Sequence, residues 1–124
     1  MKFLIADNDT NRGRSIRSIL SSLGYKSADV ESFPDAKTAL STLKKKKFDC
    51  TFIADEEKIG LGMEMLREMR NSPSLKTIPV IMISTEVSRD KVIAAGQAGA
   101  NNFLIYPCSV SDVEAALSKL FKKS

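Results

Sequence analysis

The sequence predicts an α/β fold in which one parallel five-stranded sheet is covered on both faces by five helices. Short apolar runs alternate with helix-period segments from end to end, as in consecutive strand-helix-strand units. The runs are almost continuously apolar, and strands of that kind need both faces buried. A chain of 124 residues has the usual size of one domain, so we expect residues 1–124 to form a single domain.

The first half of the chain contains two strand-helix pairs. Residues 2–6 are an apolar run of strand length, and residues 10–25 place Ile and Leu at helical spacing before the stop signal of Gly24. Residues 27–32 predict a weaker strand. Pro34 then favours a second helix, because proline is well tolerated in a first helical turn.

The second half continues the alternation without repeats, linkers or low-complexity segments. Its buried runs are bounded by turn residues, and the segments between them have a helical period. The predicted elements, in order, are a strand at 49–54, a helix at 63–70, a strand at 78–84, a helix at 89–100, a strand at 101–106 and a last helix at 111–123. Ser109 or Ser111 is expected to cap the last helix.

The composition excludes several classes of protein. Apolar residues make up 43% of the chain and charged residues 27%, which is typical of globular rather than disordered chains. No apolar run approaches the roughly 20 residues that cross a bilayer, and the N-terminus lacks a signal-peptide pattern, so we expect a cytoplasmic protein without membrane contact.

Cys50 and Cys108 have no metal-like or disulfide-like spacing and are predicted to be small hydrophobes in a reducing compartment.

The formal charge of +4 is concentrated in lysine runs at 43–47 and 119–124. Lysines at the C-terminal ends of helices complement the helix dipole. The basic residues are not spread along one face with stacking aromatics. We therefore expect no direct contact with nucleic acid.

The expected carboxyl edge of the sheet gathers polar side chains. Ligands of open parallel sheets bind at this edge. The residues placed there are Asp7, Asn8, Asp9, Asp55, Glu56, Glu57, Ser84, Thr85 and Tyr106. Carboxylates from neighbouring strands can share a divalent cation, which prefers oxygen ligands. Asp55 follows an apolar strand and is the best candidate for a carboxylate held firmly enough to act as a nucleophile, so the edge predicts phosphoryl chemistry.

The stretches KFLIADND, FIADEE, IPVIMIST and AGANNFLIYP resemble, in order and spacing, the strand ends of response-regulator receiver domains. These domains are the phosphoacceptor modules of two-component signalling, and the resemblance, to the chemotaxis-regulator kind, runs from about residue 2 to residue 121. It implies a flavodoxin-like, doubly wound sheet with strand order 2-1-3-4-5. It also implies a cis peptide bond before Pro107.

The resemblance assigns roles to individual residues. Asp55 sits where the family accepts a phosphoryl group from a phosphohistidine. Asp7, Asp55 and the backbone carbonyl of Glu57 sit at positions that bind Mg²⁺. Ser84 and Phe103 occupy the positions of a hydroxyl and an aromatic ring that switch together on phosphorylation.

Three departures from the family pattern weaken the implied chemistry. Asn8 stands where the family has a second acid, which leaves open whether Asn8 or Asp9 completes the metal site and predicts weak Mg²⁺ binding. The loop after the third strand is shorter by one residue and lacks the family's proline, with Gly60 and Gly62 available to rebuild a turn. Tyr106 replaces a lysine, so a neutral hydroxyl stands in for an ammonium group.

Two functions are consistent with these residues. The first is a receiver whose Asp55 is phosphorylated by a histidine kinase or phosphotransfer protein, and whose surface at 89–121 then changes its affinity for a downstream protein. For this receiver we expect a monomer or weak homodimer, with no enzyme activity beyond phosphoryl transfer and dephosphorylation at Asp55 itself. The second is a pseudo-receiver that binds partners without phosphorylation, with Tyr106 plugging the site. A flavin enzyme on the related fold is less favoured, and the absence of histidine excludes a His-based triad.

Overall fold

The computed structural model describes residues 1–55, 61–86 and 88–121. Its strands are β1 (Phe3–Ala6), β2 (Val30–Phe33), β3 (Cys50–Ala54), β4 (Val80–Ser84) and β5 (Asn102–Ile105). Its helices are α1 (Thr10–Ser22), α2 (Ala36–Lys45), α3 (Leu61–Asn71), α4 (Arg89–Ala98) and α5 (Val110–Leu120), with a 3-10 turn at Ser27–Asp29. The strands form one parallel sheet in the order β2-β1-β3-β4-β5. Both the predicted fold class and the predicted strand order are therefore confirmed.

Each face of the sheet has its own apolar core. Because successive strand residues point to opposite faces, Phe3 and Ile5 enter one core while Leu4 and Ala6 enter the other. The first core is completed by α1 and α5, and the second by α2, α3 and α4. Cys50 is fully buried in the first core, and burial raises the pKa of its thiol to about 12. No helix in the described ranges is long and apolar enough to cross a membrane.

Side-chain caps determine where the helices begin. Asp9 caps α1 by accepting hydrogen bonds from the backbone N–H groups of Asn11 and Arg12. Ser109, rather than Ser111, caps α5 in a reciprocal capping box with Asp112. The backbone N–H of Ser109 donates to the Asp112 carboxylate and lowers its pKa.

The predicted starts of the second helix and the second strand are wrong. Pro34 is not in the first turn of α2, because it precedes the N-cap Asp35, whose Oδ1 accepts the Thr38 N–H at 2.7 Å. That capping bond makes Asp35 the last residue before the helix. The second strand starts only at Val30, where its pairing with β1 begins, and Ser27–Asp29 forms the 3-10 turn instead.

Arg70, in the last turn of α3, joins three segments at the amino edge of the sheet. Its guanidinium donates to the carbonyl oxygens of Gly99 (3.0 Å), Lys76 (3.1 Å) and Ile78 (2.8 Å) and to Oδ1 of Asn101 (3.0 Å). Burial lowers the pKa of Arg70. Gly99 ends α4 in a left-handed conformation with φ 107°, which glycine adopts readily because it has no Cβ.

Candidate functional site

The carboxyl edge of the sheet brings together the predicted strand-end residues. Asp7 follows β1, Asp55 follows β3, Ser84 ends β4 and Tyr106 follows β5. The parallel ladders extend past the strands, because the Asp55 N–H donates to the Ile83 carbonyl and the Tyr106 N–H to the Ser84 carbonyl, each at 2.8 Å. Asp55, Ser84 and Tyr106 therefore stand at three adjacent strand ends.

Asp55 is a buried residue with 6% of its surface exposed. Its backbone is confined on one side by the bond to β4. On the other side, Gly62 of α3 approaches so closely that a Cβ there would lie 2.6 Å from the Ala54 oxygen and 2.9 Å from the Asp55 Cα. No side chain or N–H group of the described residues donates a hydrogen bond to the Asp55 carboxylate or forms an ion pair with it. The carboxylate thus sits on a closely packed backbone without a donor from the described part of the chain.

Ser84 is 2% exposed, and its hydroxyl takes part in the turn that follows β4. Its Oγ accepts the Glu86 backbone N–H at 3.2 Å. A hydroxyl that accepts one hydrogen bond still has its own proton to donate. Ser84 therefore provides a donor at the strand end next to Asp55.

The two aromatic residues near the end of β5 contact opposite cores. Phe103 is half-buried against the core that contains α2, α3 and α4, whereas Tyr106 is half-buried against the core that contains α1 and α5. Their separation by three residues accounts for this, because side chains alternate along a strand. The peptide bond between Tyr106 and Pro107 is cis, as predicted. An apolar ring rather than an ammonium group therefore occupies position 106.

Asp7 forms a buried, bidentate ion pair with Arg12. The Nε of Arg12 donates to Oδ2 and the Nη2 donates to Oδ1, both at 2.6 Å. The two side chains are 3% and 2% exposed for Arg12 and Asp7, respectively. The backbone N–H of Asp9 adds a bond to Oδ1 at 2.8 Å. Both oxygens of the Asp7 carboxylate are therefore hydrogen-bonded within the protein.

Arg12 was not among the predicted site residues, although its position in the first helical turn after Asp7 indicates an ion pair. Asp9 caps α1, which places Arg12 in the first helical turn, five residues after Asp7. A basic side chain is unfavourable in a first turn, because the helix N-terminus carries partial positive charge. An arginine there indicates a nearby acid, and Asp7 is that acid.

Lys91 is a second basic residue that was not predicted. It lies in the first turn of α4, where its backbone N–H bonds to the N-cap Ser88. Its Nζ is buried and has no hydrogen-bond partner among the described residues. Because α4 follows β4, this turn lies at the same edge of the sheet as Ser84.

The predicted metal ligands are brought together only in part. Asn8 is exposed, and Asp9 is exposed with its Oδ1 used as the helix cap, so a metal role for either stays a prediction. Glu57 lies outside the described residues. Within those residues, no group of three or more acidic, cysteine or histidine side chains is placed to hold a metal ion.

The prediction that Gly60 and Gly62 rebuild a turn is wrong for Gly62, while Gly60 lies outside the described residues. The helix α3 begins at Leu61, two residues before the predicted start, so Gly62 is in its first turn. A side chain at position 62 would overlap the backbone of β3. The glycine therefore serves close packing of helix against strand.

Comparisons with known proteins agree with this geometry. Residues 3–118 match the family described as the response regulator receiver domain. Chemotaxis protein CheY-3 of Vibrio cholerae is 33% identical, covering 99% of this chain and 93% of that protein. Chemotaxis protein CheY of Pseudomonas aeruginosa is 32% identical, covering 99% and 98%. The solved structure of Vibrio cholerae chemotaxis protein CheY4 has the same fold, with a TM-score of 0.85 at 24% identity over 97% of this chain and 98% of that chain. The chain therefore belongs to the response-regulator receiver family, as a receiver domain of the CheY type in two-component signalling.

Proposed function

We propose that Asp55 accepts a phosphoryl group from a phosphohistidine on a partner protein, and that the modified domain changes its affinity for a downstream protein. CheY-like receivers interact with histidine kinases and downstream proteins, and receiver domains are generally signalling modules rather than enzymes. The observation that supports the proposal most directly is that Asp55 and Ser84, both buried, stand at the ends of the neighbouring strands β3 and β4.

The proposed transfer is a single displacement at phosphorus. A carboxylate oxygen of Asp55 forms a new P–O bond while the P–N bond to the donor imidazole breaks, and the electron pair stays on the imidazole nitrogen, which takes up a proton. The chain itself contains no histidine, so the donor is another molecule. The confined backbone of Asp55 supports this role, because a nucleophile held in place loses little freedom on the way to reaction.

Ser84 and Phe103 are the proposed switch residues. The Ser84 hydroxyl now accepts the Glu86 N–H, and phosphoryl oxygens on Asp55 would offer its proton an anionic acceptor. Phe103 is only half-buried, so it can pack further inward when the turn at Ser84 moves. Phosphorylation shifts this equilibrium only as far as the phosphoryl group binds the two arrangements differently.

Receiver domains normally bind Mg²⁺ at the phosphorylation site, but the residues present here fit that ion poorly. Both oxygens of Asp7 are bound to Arg12 or to the backbone, and Asn8 brings no charge. We therefore propose that Mg²⁺ binds about 10- to 100-fold more weakly than it would with a second, unpaired acid at this edge.

Tyr106 is proposed to slow phosphoryl transfer. Charge-assisted hydrogen bonds are roughly twice as strong as neutral ones, and a tyrosine hydroxyl provides only a neutral donor. Its ring also packs on the core beside α1 and α5. We therefore expect Tyr106→Lys to bind phosphoryl groups more tightly than the native chain.

Beryllofluoride, a phosphoryl mimic, tests the role of Asp55 directly. We expect titration to shift the NMR signals of the Asp55 and Ser84 amides in the native chain and more strongly in Tyr106→Lys. Asp55→Asn should abolish the shifts, and Tyr106→Phe is the matched control that keeps the ring without the hydroxyl. A response only in Tyr106→Lys would identify Tyr106 as the cause of a silent site, and no response in either protein would contradict the phosphoacceptor role.

The surface that we propose for the downstream partner comprises α4, β5 and α5, within 89–121. Three apolar side chains there are largely exposed, namely Val92 (43%), Ile93 (47%) and Val110 (39%). A partner that covers them would remove apolar area from water. We expect Ile93→Ser and Val110→Ser to weaken partner binding without altering the beryllofluoride titration.

A phosphorylation-independent pseudo-receiver is the second candidate. It is favoured by the Asp7 carboxylate, which is satisfied within the protein, and by Tyr106, which packs on the core. The two candidates differ in one measurement, the affinity of Asp55→Asn for the downstream partner under phosphorylating conditions. Unchanged affinity together with loss of binding in Val110→Ser supports the pseudo-receiver, whereas lost affinity in Asp55→Asn supports the phosphorylated switch.

A further inference from the structure

The carboxyl edge contains a buried guanidinium, that of Arg12, which is paired with the Asp7 carboxylate. The geometry of this pair is the parallel, two-bond arrangement of a guanidinium and a carboxylate, with both N–O distances at 2.6 Å. Water is nearly excluded, since the side chains are 3% and 2% exposed. Buried charges are tolerated when they are paired and hydrogen-bonded, so each partner holds the other in place.

A divalent cation at Asp7 would need the oxygens that this pair already uses. Oδ2 is bound to the Arg12 Nε, and Oδ1 is bound to the Arg12 Nη2 and to the Asp9 N–H. Direct coordination would compete with the two bonds from the Arg12 guanidinium to Asp7 and place a second cation beside it, and both effects oppose metal binding. The neighbouring residue Asn8 cannot offset them, because an amide carries no charge.

The capped start of α1 determines the position of the Arg12 backbone. Asp9 fixes the first turn of α1 through bonds from the Asn11 and Arg12 N–H groups. The same residue donates its own N–H to Asp7. Asp9, Asp7 and Arg12 are therefore connected by hydrogen bonds, and these bonds hold the Arg12 guanidinium against the Asp7 carboxylate.

We propose that the Arg12 guanidinium takes the place of a metal ion at this edge. It binds both oxygens of the Asp7 carboxylate and thereby excludes a divalent metal from that carboxylate. Removal of the guanidinium should convert Asp7 into a metal ligand. The inference rests on the proposed function only for the location of the family's metal site, and it does not require that Asp55 be phosphorylated.

Magnesium titration of matched arginine variants tests the proposal. NMR signals of the Asp7, Asn8 and Asp55 amides should show no saturable shift in the native chain at millimolar Mg²⁺. Arg12→Gln should bind Mg²⁺ at least about tenfold more tightly, because a like charge is removed from beside the ion. The control is Arg14→Gln, which removes the same charge from an exposed position on α1 and should behave as the native chain. Equal Mg²⁺ affinity of the Arg12→Gln and Arg14→Gln variants would overturn the proposal.

The double variant Asp7→Asn with Arg12→Gln shows whether a gain in affinity belongs to Asp7. We expect it to lose the Mg²⁺ binding that Arg12→Gln acquires, and retained binding would contradict the proposed ligand.

Should Arg12→Gln fail to fold, titration of the native chain with Mn²⁺ still tests whether Asp7 binds a divalent metal. Selective paramagnetic broadening of the Asp7 amide at submillimolar Mn²⁺ would show that Arg12 does not exclude metal, and its absence supports exclusion.

Beryllofluoride added to the same samples separates this proposal from the phosphoacceptor role. A Mg²⁺ gain in Arg12→Gln without any beryllofluoride response would contradict phosphorylation of Asp55 and leave the role of Arg12 intact. A beryllofluoride response in the native chain that disappears when Mg²⁺ is chelated would overturn exclusion of the metal and leave the phosphoacceptor role intact.

Discussion

Replacement of Gly62 by alanine is expected to destabilise the domain and to disturb Asp55. Gly62 is in the first turn of α3, directly against the end of β3. A Cβ at this position would lie 2.6 Å from the Ala54 oxygen and 2.9 Å from the Asp55 Cα, well inside the 3.4 Å at which ordinary contact begins. Both atoms belong to the backbone, so no side-chain rotation can relieve the overlap.

Two opposing effects determine the size of the change at Gly62. Overpacking typically costs about 1–3 kcal/mol, and the better helix propensity of alanine returns up to about 1 kcal/mol. We expect a net loss of about 1–2 kcal/mol in the free energy of unfolding, because the overlap involves two backbone atoms at once. The strain is relieved only if α3 moves away from β3, which should also change the NMR signal of the Asp55 amide.

Urea unfolding followed by circular dichroism measures the stability of the Gly62→Ala variant. Gly96→Ala in α4 is the matched control, since a Cβ there would meet nothing within 4 Å, and it should raise the free energy of unfolding by about 0.5–1 kcal/mol. The reasoning is refuted if Gly62→Ala is as stable as Gly96→Ala and leaves the Asp55 amide signal unchanged.

Three further substitutions test buried polar groups away from the edge. Thr51→Val should raise the free energy of unfolding by about 1 kcal/mol, because the Thr51 hydroxyl is fully buried and has no hydrogen-bond partner in the described part of the chain. Arg70→Met should lower it by about 2–4 kcal/mol, because the partly buried carbonyl oxygens of Gly99 and Ile78 lose their donor. Cys50→Ala should remove a pH dependence: the folded thiol, with its pKa raised from 9.0 to about 12, keeps its proton while the unfolded thiol loses it. Native stability should therefore fall as the pH rises above 9, by up to about 1.4 kcal/mol per pH unit for this group.

Each of these variants has its own check. A lower urea midpoint for Thr51→Val would show that the hydroxyl has a partner in solution. Arg67→Met, at an exposed position on the same helix, should be nearly neutral, and a loss equal to that of Arg70→Met would contradict the role of the four bonds. An alkaline stability profile of Cys50→Ala that is parallel to the native one would contradict burial of the thiol.

The elements that could be predicted are those whose own residues identify them, without knowledge of their neighbours in the fold. The strands β1 and β4 are buried along their whole length, and β3 is buried at every residue except Ala54 at its end, so their apolar runs identified them directly. The edge strand β2 has only one neighbour, β1, and its start depends on where pairing with that strand begins rather than on its own residues. Pro34 was misplaced for a similar reason, because the capping bond of Asp35 decides the start of α2.

At the candidate site, the sequence predicted which residues lie at the strand ends, but it did not predict which side chains pair with one another. Asp7, Asp55 and Ser84 were placed correctly at strand ends, because parallel strands deliver their last residues to one edge. What Asp7 contacts depends on the direction in which Arg12 leaves the first turn of α1. That direction follows from the cap at Asp9, which became evident only in three dimensions.

Arg70 has a consequence for how this sequence tolerates change. One side chain joins the end of α3 to the loops before β4 and β5, at the end of the sheet opposite Asp55. Asn8 and Tyr106, at the carboxyl edge, take no part in those bonds. The hydrogen bonds that Arg70 makes therefore anchor α3 at a distance from the candidate site, and a change of side chain at Asn8 or Tyr106 does not remove them.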